Sequence, residues 1–287
     1  MTLRHRFSLR SFAIAGILGL TASSAAVLGA TAPASAAKIG MSCEVQGLGT
    51  KAFAVDITTN APANAAPGSS FAPRITSKMS VPADLADLMR GILGVNAISG
   101  EIQATVLVDG APVVTTVTVP RTAVPASGAV VLTGTGRLPA IPAGPAGGRH
   151  TLAAGFQNVT MTLFKPGTDP GLPFPVMCAP AAGQNATVST YTVKATSTTK
   201  ATASYQAKKR KATVSATVAS SPAATGTVTF KLKRGAKTVK TVKATVRGGK
   251  AVATFKKLKK GKHTVTATYG GSTAVLPSTG TAKLKVR

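Results

Sequence analysis

"KAVATFKKLKKGKHTVTATYGG" (residues 250–271) holds two apolar alternations on either side of a lysine-rich turn. Ala251, Ala253 and Phe255 share one face of the first run, and His263, Val265, Ala267 and Tyr269 share one face of the second. A period of two marks a strand with one face buried, so the stretch reads as two consecutive strands. Its neighbours repeat the pattern. "GTVTFKLKRG" (226–235) turns Val228, Phe230 and Leu232 inward and Thr227, Thr229, Lys231 and Lys233 outward. "KATVSATVAS" (211–220) alternates Val214, Ala216 and Val218, and "GTAKLKV" (280–286) aligns Ala282, Leu284 and Val286. With one strand before residue 206 and one over 237–246, about seven short strands separated by turns predict an immunoglobulin-like sandwich over residues 195–287.

Three stretches give that expectation a family. "TGTVTF" (225–230), the spacing of Leu258, Gly261 and His263, and the spacing of Ala267, Tyr269 and Gly271 resemble the bacterial Ig-like repeat of secreted surface proteins. The resemblance implies a structural or adhesive module without catalysis. An acidic residue usually follows the last glycine of that pattern, and here Ser272 stands in its place.

Residues 38–192 also read as all-β, as a second sandwich with one short helical insert. In "EIQATVLVDGAPVVTTVTV" (101–119), Asp109-Gly110 separates two alternating runs, the signature of a tight hairpin. "AFAVDITT" (52–59), "GAVVLTGTG" (128–136) and "NVTMTLF" (158–164) read as further strands. "ADLADLMRGIL" (83–93) spaces Leu85, Leu88, Met89 and Ile92 as one helix face. Cys43 followed by Gly47-Leu48-Gly49, together with "PVMCAPAAGQ" (175–184), resembles an uncharacterised secreted domain of actinobacterial exported proteins, a family that implies no activity.

The first 36 residues read as an export signal. Arg4, Arg6 and Arg10 precede an apolar, small-residue run, and Ala34-Ser35-Ala36 gives a cleavage pattern. The mature chain would begin at Ala37, with no transmembrane segment after cleavage, in an extracellular or wall-associated location. Cys43 and Cys178 are the only cysteines. Export favours one disulfide between them, with two buried free thiols as the alternative.

"LPSTG" (276–280) matches a sortase pentapeptide, but only "TAKLKVR" follows it, too short to cross a bilayer. Because it also occupies the approach to the last Ig-like strand, Leu276 and Pro277 are expected to be a packed loop residue and the kink leading into that strand.

Few residues offer catalytic chemistry. His150 and His263 lack partners at metal-ligand spacing, no nucleophile elbow is present, and the glycine-rich stretches lack phosphate-loop spacing. Asp84 and Asp87 fit a solvated helix face better than a catalytic pair. No catalytic residue, metal or cofactor is expected, and the chain is expected not to be an enzyme; the alternatives are a hydrolytic site in the first domain near His150 and an extracellular nucleic-acid binder.

Charge placement stands out. The formal net charge is +27, yet all seven acidic residues lie between Glu44 and Asp169. Residues 193–287 hold 18 Lys, 4 Arg and no acid. Repulsion among so many like charges opposes folding, so the excess points to a polyanionic partner. The expected contacts fall in three clusters: Lys208, Lys209, Arg210 and Lys211; Lys231, Lys233 and Arg234; and Lys256, Lys257, Lys259, Lys260 and Lys262. Lysine is a hydrated point charge rather than a bidentate fork, and the aromatics face inward, so diffuse attraction is expected rather than base stacking. For an exported protein the nearest partners are anionic wall polymers, acidic polysaccharides and anionic lipid headgroups, with DNA binding incidental.

Overall fold

The computed structural model describes residues 35–167 and 169–287; of the expected export signal over residues 1–36, residues 1–34 lie outside them. The first half contains β1 (Ser35–Val45), β2 (Gly49–Thr59), β3 (Asn64–Ala65), β4 (Ser70–Phe71), β5 (Arg74–Val81), α1 (Ala83–Gly91), β6 (Ala97–Val108), β7 (Ala111–Ala123), β8 (Val130–Arg137), β9 (Ile141–Pro142), β10 (Arg149–Phe164), β11 (Leu172–Pro180) and β12 (Thr187–Val193). The all-β expectation holds, but this half is not two facing sheets. Its strands run β11-β1-β2-β5-β8-β7-β6-β10, and β11 also pairs with β10, so eight antiparallel strands close into a barrel. Closure removes the exposed edges that an open sheet would leave unpaired.

Alternation explains the interior. Ile39, Met41 and Cys43 of β1, Phe53, Val55 and Ile57 of β2, and Ile102, Ala104 and Val106 of β6 all point into one core. Asp109 (φ 51°) and Gly110 (φ 86°) form the tight turn that joins β6 to β7. Closure also needs close backbone approach where β7 meets β8. A Cβ on Gly136 would lie 2.5 Å from Thr116 O, and one on Gly134 2.7 Å from a methyl of Val117. The two strands pair there at only two positions, so these glycines mark a corner of the barrel. Cys43 sits directly opposite Cys178 across β1 and β11, and the two form a disulfide that faces the barrel interior.

The helix ends two residues short of the sequence expectation. Leu85 and Met89 pack on the barrel core, but Ile92 lies beyond the last turn and is 76% exposed.

The second half is built from β13 (Ser197–Gln206), β14 (Lys211–Ser220), β15 (Thr227–Arg234), β16 (Lys237–Thr245), β17 (Lys250–Lys256), β18 (Gly261–Tyr269) and β19 (Ser278–Val286). The order β13-β14-β17 forms one sheet and β16-β15-β18-β19 the other, giving the seven-stranded Ig-like sandwich that the alternation predicts. Val228, Phe230, Leu232, Phe255, Val265, Ala267 and Tyr269 are fully buried between the sheets. The Tyr269 hydroxyl donates to Thr225 O at 2.7 Å, so its burial leaves no unpaired polar group. Ser272 does locally what an acid could do, its hydroxyl accepting from the backbone N–H of Ala274 and Val275.

The pentapeptide 276–280 is woven into this domain. The Leu276 N–H donates to Ala195 O, Ser278 Oγ lies 2.7 Å from both Ser197 Oγ and Thr199 Oγ1, and Thr279 and Gly280 are already in β19. A Cβ on Gly280 would lie 2.2 Å from Thr199 O, so only glycine lets β19 pass this close to β13.

Candidate functional site

The register of the sandwich gathers the lysine clusters. Lys211 pairs with Lys256 across β14 and β17, which places the 207–210 turn beside the 257–260 loop. Lys233 pairs with Thr264 across β15 and β18, which brings the turn after Arg234 to the same end. Arg234 folds over that loop, its Nε 3.5 Å from where a Gly261 Cβ would stand. Gly261 pairs with Val286 and Lys262 with Lys285, so the end of β19 joins as well. One pole therefore holds Lys208, Lys209, Arg210, Lys211, Lys233, Arg234, Lys256, Lys257, Lys259, Lys260 and Lys262. Of the twelve expected contacts, only Lys231 stands apart, on the outer sheet face between Thr241 and Thr266.

Two cations of this pole, Lys285 and Arg287, were missed by the sequence reading, and Lys237 joins it from the end of the 231–237 cluster. The pairing of Lys285 with Lys262 follows from the register of β18 and β19, and alternation within one strand does not reveal it. All of the pole's cations are exposed except Lys211 and Lys233, which are half-buried. Neighbouring strands lie about 4.8 Å apart, inside the Debye length of about 8 Å at physiological salt, so the potentials of these cations add. No acidic side chain in residues 193–287 offsets them.

The pole lies opposite the junction with the barrel. The chain enters the sandwich at Ala195, which bridges to Val275, and the 221–226, 246–249 and 270–277 connections share that far end. The basic surface is thus left clear of the junction.

Two local features of the pole run against stability. Arg210 (φ 46°) and Lys257 (φ 58°) hold the left-handed conformation that favours glycine. Lys211 and Lys256 are like charges directly opposed in a ladder, an unfavourable pairing.

The histidines do different work. His263 is buried in β18, its Nδ1 3.2 Å from Gly261 O and its Nε2 without a partner. His150 Nδ1 donates to Asp109 Oδ2 at 2.6 Å, and its ring stacks on Tyr191 with centroids 4.8 Å apart. Asp109 also accepts the Thr151 N–H at 2.8 Å. Burial alone would raise the Asp109 pKa, but the His150 and Thr151 hydrogen bonds and the imidazole charge outweigh it and leave it lowered. Burial and the nearby Asp109 charge raise that of Tyr191. This is a carboxylate–imidazole pair, but the His150 Nε2 that would have to take a nucleophile's proton makes no hydrogen bond. The pair pins the β6–β7 turn to β10. Asp84 lies in the first turn of α1, and Asp87 pairs with Arg90 on the same helix. Among the described residues no group of three or more His, Cys, Asp or Glu is placed to hold a metal ion, and no helix is long and apolar enough to cross a membrane.

Residues 41–189 match the model of a family of unknown function, DUF6801, and residues 195–287 match the bacterial Ig-like domain (group 3). No curated protein matches the chain. Among solved structures, a proposed membrane-anchored protein of Corynebacterium diphtheriae aligns at 15% identity and TM-score 0.33, over 88% of this chain and 59% of its own. A β-D-glucuronidase of Dictyoglomus thermophilum aligns at 9% and 0.22, over 89% and 44%, and a β-glucuronidase of Ruminococcus gnavus at 12% and 0.23, over 89% and 45%. This chain spans about three fifths of the first and less than half of the other two.

Proposed function

We propose, for a chain that belongs to the family of unknown function DUF6801 and carries a bacterial Ig-like domain, a non-enzymatic role at the cell envelope. In this reading the protein is exported and extracellular, and the Ig-like domain holds it to an anionic wall polymer or acidic polysaccharide through the basic pole. The barrel is then displayed from the other end of the tether. The observation that carries the reading is convergence. Clusters spread over residues 208–262 meet at one pole of a domain with no acidic side chain, away from the interdomain junction.

The attraction is diffuse. Lysine ammonium groups attract phosphate or carboxylate without fixed geometry, so affinity follows the polymer's charge density and falls steeply with salt. Duplex DNA competes by the same physics. The test is binding of the full chain to teichoic-acid-bearing walls, to walls stripped of anionic polymer and to a neutral polysaccharide, each across a salt series. Salt-sensitive binding to the first alone is expected. Equal, salt-independent binding to all three would overturn the reading.

A further inference from the structure

The barrel interior is incompletely filled beneath its helix. A wholly apolar cavity of about 70 Å³ lies there, with Phe53, Met79 and Met161 in its wall and Leu85, Leu88 and Met89 of α1 as its roof. Outside the roof runs an open groove of about 340 Å³, with Lys51 and Asp84 at its margin. Leu48, Leu85 and Leu88 border both spaces, so rotation of these side chains would join them. The roof is lightly held. It is a nine-residue helix with no side-chain N-cap and a single fully buried residue, Ala86, and helices of this length are marginal without strong packing. Apolar side chains crowd its rim, where Leu48 is 39% exposed, Leu93 38% and Ile92 76%.

Eight-stranded barrels are wide enough to hold one small ligand, and barrel mouths are recurrent ligand sites. The cavity is less than half the roughly 150 Å³ that admits benzene. A ring therefore does not fit without large movement, whereas a slim chain shared between groove and cavity needs only the roof to shift. Methionine at two wall positions and one roof position suits a space that changes shape. We propose that cavity and groove are the closed form of a site for a single unbranched acyl chain. The chain passes between Leu48 and α1 into the barrel, and its anionic head stays by Lys51. This site is independent of the basic pole, which lies in the other domain.

The experiment is a titration of the full chain, labelled with ¹³C-methyl methionine, with dodecanoate below its micelle concentration and, in a second arm, with phosphatidylglycerol vesicles. Saturable 1:1 shifts are expected at Met79, Met89 and Met161. Met177, half-exposed on the barrel exterior, should stay unmoved. Shifts with dodecanoate assign a free fatty acid, and shifts with vesicles alone assign a membrane lipid. Val159→Phe, which fills the cavity from β10, should weaken binding at least tenfold while the Met177 signal and the thermal transition persist. Spin-labelled dodecanoate gives a readout on the native chain, broadening Met161 and not Met177. No saturable shift in either arm, equal perturbation of Met177, or unchanged binding by a folded Val159→Phe protein would overturn the proposal and leave the cavity a dry packing void.

Discussion

Arg210 and Lys257 should each be replaceable by glycine with a gain in stability and a loss of binding. They are two of the three non-glycine residues with positive φ among the described residues. A left-handed L-residue costs about 1–2 kcal/mol, and the greater freedom of glycine in the unfolded chain returns about 0.4–1 kcal/mol of that. The net gain is about 0.5–1 kcal/mol per site, before any relief of repulsion at the pole. Arg210→Gly/Lys257→Gly should then raise the Ig-like transition by roughly 4–15 °C in a domain of this size. Lys208→Gly is the control: its φ is not positive, so glycine there should bring no gain. The same double variant should bind duplex DNA with a log–log salt slope reduced by about 1.5–2. Scanning calorimetry and a salt series on the full chain read both effects. A double variant no more stable than the native chain would refute the strain argument, and an unchanged salt slope would remove these two cations from the binding surface.

Other perturbations separate the two domains. Reducing the Cys43–Cys178 disulfide opens a closure spanning 135 residues, worth at most about 5 kcal/mol. The barrel transition should fall by about 10–20 °C, with the Ig-like transition unmoved in calorimetry. Gly280→Ala drives a methyl into Thr199 O and should cost about 2–3 kcal/mol, read as a lowered Ig-like midpoint in denaturant. Asp109 has a lowered pKa when folded, so its contribution is present above the ordinary value of 3.8 and is lost as pH falls through the folded value. Asp109→Asn should therefore destabilise the barrel at pH 6, and the difference from the native chain should shrink progressively in melts as pH falls below 3.8.

Alternation was enough to place most of the Ig-like strands because they have one buried face: Val228, Phe230 and Leu232 announce their side in ten residues, whereas β13 and β16 bury no residue fully and show their side only weakly. Closure of the barrel was not legible. It depends on β11 pairing with both β1 and β10, contacts far apart in sequence, and on Gly134 and Gly136, whose role appears only once β7 crosses them. Cys43 and Cys178 hinted at one side of the seam. Ile92 fitted the helical period of Leu85 and Met89, but α1 ends before it can turn inward. The lysine clusters were visible as composition. Their convergence was hidden in the register of β14 with β17 and of β15 with β18, and Lys285 and Arg287 were hidden with it.

The central claim is about where the charge sits, so the deciding measurement holds net charge constant and moves the neutralised sites. One variant carries Lys208→Gln, Lys209→Gln, Lys257→Gln and Lys259→Gln at the basic pole. The other carries Lys200→Gln, Lys243→Gln, Arg247→Gln and Lys250→Gln, four exposed cations of the same domain away from it. Affinity for teichoic-acid-bearing walls at physiological salt should fall at least tenfold in the first and by much less in the second. Equal losses in both would show that net charge alone governs binding and would contradict the assignment of the pole.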